Sequence, residues 1–406
     1  MKYQYIYYIE LKMEEQILYK DIIEYLTEEL KHKPFNTNDT SYTKWVKNNE
    51  NLKLLCKTFP VTEKEAFINN VNDTNVKKDN KKNVTTDNKD YTDMILQQHD
   101  YPCEFKLLQL ITEDKDHLIK LETNQNITRQ NKKEQEHNSV NEDKMYLYHY
   151  NLIANTKINA CYIDGPFVNK GDEKLFIVAK GPSQGNQYDF WKLILDNNIS
   201  QIILLSKTNK NDSNMKLEQY YPNTLYHDEN NEKQLTIKSP NNDGNKIHIT
   251  NIMTYDIIKK HLYLTELMVN KTHKINHLHV LSWDEYSIPP SQEGYEMLIF
   301  IIEQLKMFRE DKNNKNSGPI LIHSNNGIGR CGTFIAIYNI IRCLDKLKKL
   351  KENGNSDIIP QLNVFNVVRK LREQRYGMVS SAKQYKFIYK MCLEWIKKNY
   401  NRKGQK

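Results

Sequence analysis

The chain has 406 residues, with 59 Lys and Arg against 51 Asp and Glu and a net charge of +8 at neutral pH. That length can hold one large α/β domain and a smaller region, and the modest charge is spread through Asn- and Lys-rich sequence without a nucleic-acid stripe. The six cysteines show no paired spacing and no neighbouring histidines, so reduced thiols are expected, with neither metal nor cofactor, and no apolar run approaches the ~20 residues of a membrane span.

Residues 1 to about 68 carry helical patterning, including Ile17, Ile22, Ile23 and Leu26 among charges, and hold no recognisable motif. The opening ten residues are too short and polar for a signal peptide, so a cytoplasmic location is expected. Residues 69–92 and 122–144 are dominated by Asn, Lys, Asp, Glu and Thr and read as linkers, too polar to bury a core. Between them, Phe105, Leu107, Leu108, Leu110 and Ile111 predict a helix docked on the domain downstream. Residues 1–144 therefore read as an extension that is partly helical and partly disordered. From 145 to 400 strand and helix patterns alternate, which predicts an α/β (α+β) domain.

That domain opens on Tyr146, Tyr148 and Tyr150, followed by Lys157-Ile158-Asn159-Ala160-Cys161-Tyr162-Ile163-Asp164-Gly165. Ala179-Lys180-Gly181-Pro182, Asp189-Phe190-Trp191 and Lys216-Leu217-Glu218-Gln219-Tyr220-Tyr221-Pro222 come next. Residues 208–214 and 308–318 are polar inserts read as loops. Residues 283–289 run Trp-Asp-Glu-Tyr-Ser-Ile-Pro. Leu298, Ile301, Ile302 and Leu305 form one helical face, as do Ile388, Met391, Cys392 and Trp395 near the end, and both are expected to be core stripes.

The most informative segment is 319–334. Ile320, Leu321 and Ile322 form a short apolar run suited to a buried strand, and Phe334, Ile337, Tyr338 and Ile341 recur at helical spacing soon after. The loop between them opens a helix. Gly327 and Gly329 allow successive backbone N–H groups to converge, the helix N-terminus adds partial positive charge, and Arg330 supplies a permanently charged fork. The expected phosphate-binding set is Ser324, Asn325, Asn326, Gly327, Ile328, Gly329 and Arg330.

This segment resembles the signature of the protein tyrosine phosphatases, His-Cys-Ser-x-Gly-x-Gly-Arg-Thr/Ser-Gly, with His323, Gly327, Gly329, Arg330 and Gly332 in register. The ordered series of segments from 157 to 222, and Arg372 to Val379 beside the family's Arg-x-x-Arg-x-x-Met-Val, extend the resemblance over about 250 residues. It implies a highly twisted mixed sheet flanked by helices, and phosphotyrosyl proteins as partners. Tyr148 and Tyr150 are candidates for contact with the phosphotyrosine ring, although the family's Asn-Arg prefix is absent.

The departures fall on catalytic parts. The family's nucleophilic cysteine is replaced by Ser324. A cysteine works in such a nest because its pKa falls from about 8.5 until it is largely thiolate, whereas a serine hydroxyl is far less acidic and needs a general base. In the family the histidine supports the loop and does not take the proton, so His323 is not that base. Set beside Trp-Pro-Asp-x-Gly-x-Pro, residues 283–289 keep Trp283 but place Glu285 at the general-acid aspartate and Asp284 at the loop proline. With its nucleophile gone, Glu285 is expected to be a solvated loop charge.

Cys331 replaces the hydroxyl residue after the arginine and is expected to face the underside of the loop rather than act as a displaced nucleophile. Ser380 falls where a glutamine positions the hydrolytic water, and Gln384 alone keeps its place. Four lesions at four catalytic parts imply natural loss of catalysis, with Ser324 left as a hydrogen-bond donor to bound phosphate. The chain thus reads as a pseudophosphatase, with a slow phosphatase or a phosphate-blind scaffold as alternatives. The compact domain, the Ser-Trp-x-x-Tyr-x-x-Pro loop and the AT-rich composition also resemble the tyrosine-phosphatase-like proteins of bracoviruses carried by parasitoid wasps. That resemblance implies interference with phosphotyrosine signalling in host immune cells.

Overall fold

The computed structural model describes residues 151–400 except 155, 168–170, 184, 208–216, 223–232, 242, 312–313, 315–316, 354–360 and 363. Before that stretch it describes 59–60, 101, 105, 108–109, 118–120 and 146–148. These residues belong to two compact units, 114–339 with 370–384, and 1–113 with 340–369 and 385–406.

The first unit is built on an eight-stranded mixed sheet. In chain order its elements are β1 (Ala160–Ile163), β2 (Phe176–Lys180), helix α1 (Gln187–Asp196), β3 (Gln201–Leu204), β4 (Gln234–Lys238), β5 (Lys246–Ile258), β6 (Leu262–Val269), β7 (His273–Val280), α2 (Ser291–Glu310) and β8 (Ile320–Ser324). The spatial order is β1-β2-β8-β3-β7-β6-β5-β4. Strands β2, β8, β3 and β7 are parallel neighbours, and the remaining pairs are antiparallel. Composition explains the division. Every residue of β3 and β8 is buried, as continuous apolar runs covered on both faces require, whereas β6 and the first half of β5 alternate between buried and more exposed positions, as strands with one covered face do.

Because β2, β8, β3 and β7 run the same way, their C-terminal ends gather at one sheet edge, where open α/β sheets place their ligands. The loops after Lys180, Leu204, Val280 and Ser324 meet there. Gly181 N donates to Ser324 O (2.8 Å) and Leu205 N to His323 O (2.9 Å), carrying the ladder to the lip of the sheet. Beneath it Phe190, Trp191 and Ile194 of α1 pack with Ile177, Ile202, Leu204 and Tyr220, and the indole of Trp191 donates to Tyr220 O (2.7 Å).

After β8 the chain enters α3 (Gly329–Glu352), α4 (Val364–Gln374) and α5 (Ala382–Tyr400). Phe334 through Tyr338 are all buried, so the start of α3 is sheathed all round rather than on one stripe. The predicted stripe of Leu298, Ile301, Ile302 and Leu305 is buried on α2. The expected loop at 308–318 is corrected at its start: α2 runs through Glu310 and ends where Asp311 turns extended (φ −71°, ψ 123°). Arg309 in the last turn suits the helix's negative end, which a reading of polarity alone overlooks.

In the second unit Ile388, Met391, Cys392 and Trp395 are buried on α5. Residues 101, 105, 108 and 109 are helical, and Tyr101 meets Tyr385 and Tyr389 of α5 edge-on at 6.3 and 5.3 Å. Leu107, Leu110 and Ile111, the linkers at 69–92 and 122–144, and residues 1–58 lie outside the described residues.

Candidate functional site

The cradle is the turn from β8 into α3. Gly327 takes φ +65°, and a Cβ there would lie 2.2 Å from Ala179 O, so both conformation and space demand glycine. A Cβ on Gly329 would lie 2.3 Å from Ser380 Oγ, and one on Gly332 2.5 Å from Val379 N, so the helix start is packed directly against the 378–380 backbone. Arg375, 1% exposed, braces the loop from inside. Its Nε donates to Gly327 O (2.8 Å), one Nη to Asn159 Oδ1 (2.8 Å) and the other to Cys161 Sγ (3.4 Å). Arg372 in turn donates to Met378 O and Val379 O, both at 3.2 Å. The sequence series that contains Arg372 and Arg375 thus serves as a scaffold for the loop.

Ser324 ends β8 and is 2% exposed. Its Oγ accepts a hydrogen bond from Gly327 N (3.1 Å) and faces the Cys331 thiol, which donates at 3.5 Å. These are its hydrogen-bond partners among the described residues, and neither is a base. His323 is fully buried, its Nε2 lies 2.7 Å from the Tyr220 hydroxyl, and its Nδ1 has no hydrogen-bond partner among the described residues. Burial, with His279 and Arg330 adding to it, drives the His323 pKa down to about 3. The imidazole is a neutral support engaged on the far side of the strand. Cys331 is also fully buried; desolvation outweighs Ser324 and the two arginines and pushes its thiol up to about 11, so it is no thiolate at neutral pH. Its thiol is turned to the Ser324 hydroxyl.

A buried polar array supports this floor. The Tyr220 hydroxyl sits between His323 Nε2 and His277 Nε2 (2.6 Å), so it donates to one and accepts from the other. His279 Nε2 donates to Ser206 O (2.8 Å), which leaves its Nδ1 to accept from the Tyr221 hydroxyl (2.8 Å). Burial holds His279 down at about 4 and His277 well below the ordinary histidine range. The sequence reading matched Tyr220 and Tyr221 to a motif but assigned them no partners, because the histidines that meet them lie more than fifty residues away.

Residues 283–289 form a lid over the cradle. Trp283 is buried, its indole donates to Ser287 O (2.9 Å), and its own carbonyl accepts from an Arg330 Nη (3.0 Å). Gln384 is buried: its Oε1 accepts from Ser380 N (3.1 Å) and Ser380 Oγ (3.0 Å), while its Nε2 donates to Ser287 O (3.4 Å). Asp284 pairs with Lys207 at 2.5 Å. Arg330, 4% exposed, stays charged although burial lowers its pKa against the pull of Glu285.

Glu285 departs from expectation. Its side chain is 33% exposed, yet it is also held: Asn326 Nδ2 donates to one carboxylate oxygen (2.8 Å) and Asn325 Nδ2 to the other (3.1 Å), while the Arg330 guanidinium lies 4.0 Å away. The Ser206 hydroxyl donates to Asn325 Oδ1, which fixes that amide with its nitrogen toward Glu285. Polarity alone does not reveal this, since nothing local to either segment pairs the asparagine amides with the glutamate.

Hydrogen bonds thus link Ser324 with Gly327 and Cys331, Asn325 and Asn326 with Glu285, Arg330 with Trp283, and Gln384 with Ser287, while His323 turns to Tyr220. For the proposed ring contacts, Tyr148 contributes backbone to the short strand Tyr146–Tyr148, which pairs with Leu118–Lys120. Its side chain, and Tyr150 entirely, lie outside the described residues. Among the described residues no group of His, Cys, Asp and Glu could hold a metal, and no helix is long and apolar enough to cross a membrane.

The protein-tyrosine phosphatase family model matches residues 130–394, more than half of the chain. Tyrosine-protein phosphatase 2 of Dictyostelium discoideum is 31% identical over 228 residues, 56% of this chain and 53% of that protein. Tyrosine-protein phosphatase non-receptor type 20 of Rattus norvegicus is 28% identical over 240 residues, 58% of this chain and 48% of its own length. The chain thus spans about half the length of these curated relatives. A solved structure of PTPN18 in complex with HER2 phosphopeptides matches with a TM-score of 0.44 at 21% identity, over 59% of this chain and 71% of that one.

Proposed function

Because this chain belongs to the protein-tyrosine phosphatase family, we propose that it is a pseudophosphatase that binds phosphotyrosyl proteins without hydrolysing them. The observation that carries this is the environment of Ser324: its oxygen accepts from Gly327 N and from the Cys331 thiol, and among the described residues no base is hydrogen-bonded to it. Both contacts use the oxygen as acceptor, which leaves its own proton available to a bound group. A serine nucleophile needs that proton removed, and losing a nucleophile costs on the order of a millionfold in turnover. Phosphate binding makes no such demand. The glycine turn, the start of α3 and the Arg330 guanidinium supply convergent donors and positive charge for a phosphate group, and the Ser324 hydroxyl adds a donor.

Such a protein would hold phosphotyrosine away from active phosphatases and signalling partners. Resemblance to the bracovirus proteins extends the reading to the cytoplasm of host immune cells. Calorimetric titration of a phosphotyrosyl peptide library into the intact protein and into Arg330→Ala tests it. The wild type is expected to bind, and the variant to lose about thirtyfold or more, since truncating a buried charged partner costs ~2–5 kcal/mol. Equal binding by both proteins would refute phosphate capture, and phosphate released by the wild type would refute inertness.

A further inference from the structure

We infer that Glu285 is an internal anion that latches the lid over the cradle, so that a phosphate ester must displace it to bind. This rests on the reading of the cradle as a phosphotyrosine site and adds a regulatory element to it.

Both carboxylate oxygens of Glu285 are clasped by side-chain amides of the cradle loop itself, Asn325 and Asn326, at 3.1 and 2.8 Å. The Ser206 hydroxyl pre-sets one of these amides. Both oxygens accept, so the group is not arranged as an acid delivering a proton. Arg330 gives the second observation. One Nη is engaged by Trp283 O, while the other is buried without a hydrogen-bond partner among the described residues and has the Glu285 carboxylate 4.0 Å away. Glu285 thus supplies the negative charge that a 4%-exposed guanidinium requires when no ligand is present.

A phosphate bound to Arg330 would lie beside that carboxylate, and two anions cannot both keep the place at low cost. The lid is held on either side of Glu285, through Trp283 O on Arg330 and Asp284 on Lys207 before it and Ser287 O on Gln384 after it, so displacement of Glu285 loosens the middle of the lid while its flanks stay anchored. The wild type is therefore a damped phosphate trap, its affinity reduced by the latch.

The test uses full-length wild type, Glu285→Ala, Glu285→Gln and Arg330→Ala. Each is titrated calorimetrically with free phosphotyrosine and with inorganic phosphate, and hydrogen exchange is followed across 283–289 without ligand. Both Glu285 variants are expected to bind about tenfold or more tightly than wild type, and Glu285→Ala to exchange faster across the lid. Arg330-dependent binding that Glu285 substitution leaves unchanged or weaker would overturn the latch while leaving the phosphate site standing. No binding by any protein would overturn the phosphate site itself, and the latch with it.

Discussion

Restoring a cysteine at position 324 measures directly whether the turn from β8 to α3 stabilises an anion. In Ser324→Cys the sulfur takes the place of an oxygen that accepts from Gly327 N at 3.1 Å, ahead of a helix that begins at Gly329 and carries Arg330 in its first turn. A hydrogen bond to an anion contributes roughly 1.5–3 kcal/mol and a helix N-terminus about 1 kcal/mol. Burial opposes both. It prevails at Cys331, which meets position 324 from below and is pushed up to about 11. With the loop donors included, we expect the new thiol to ionise about two units below 8.5, equivalent to ~2.7 kcal/mol.

Thiolate ultraviolet absorbance, followed against pH and differenced from wild type, reads this without reagent access, and Cys331 stays silent across the neutral range. Because the folded pKa then lies below the unfolded one, the variant gains stability relative to wild type as pH rises from about 6.5 to 8.5. It loses that gain as pH falls through the folded value. Catalysis should remain about 10²–10⁴-fold short of a competent enzyme, since Glu285 and Ser380 are unchanged. A thiol that titrates at or above 8.5 would refute the claim that this loop is an anion cradle.

Three further outcomes are expected from the same geometry. Arg375→Met removes a buried guanidinium from Gly327 O, Asn159 and Cys161; urea unfolding should show a loss of about 3–4 kcal/mol, and a loss under 1 kcal/mol would contradict its bracing role. Gly327→Ala meets both a positive φ and the Ala179 carbonyl, so it should cost more than about 2 kcal/mol and abolish phosphate binding, with native-like calorimetry as the contrary result. His323 and His279 titrate at about 3 and 4 when folded, His277 also well below normal, against about 6.5 unfolded. The unfolded chain therefore binds more protons below pH 6.5, and stability should fall by several kcal/mol, in order of magnitude, between pH 6.5 and 4. A flat urea midpoint over that range would show that these imidazoles are not held neutral.

The features legible in the sequence are those set by short-range pattern. Ile320–Ile322 demanded a doubly covered strand, the spacing of Gly327, Gly329 and Gly332 demanded a tight turn into a helix, and Trp283 marked the lid. The illegible features are pairings across long separations. Nothing local couples Asn325 and Asn326 to Glu285, some forty residues earlier, or Tyr220 to His277 and His323; parallel strands bring their ends together, and these contacts result. Arg375 was visible as part of a series, but its role depends on Gly327 O pointing inward, which the sequence does not encode locally. The extension of α2 through Glu310 was hidden because a charged helix end and a polar loop share one composition.

The central claim is that this cradle holds a phosphotyrosyl group and leaves its ester bond intact. Phosphorus NMR of a phosphotyrosyl peptide mixed with stoichiometric protein tracks both parts in one sample. The account predicts a shifted or broadened ester resonance that persists, returns to its free position with Arg330→Ala, and yields no inorganic phosphate. A growing inorganic phosphate resonance that depends on Ser324 would contradict it.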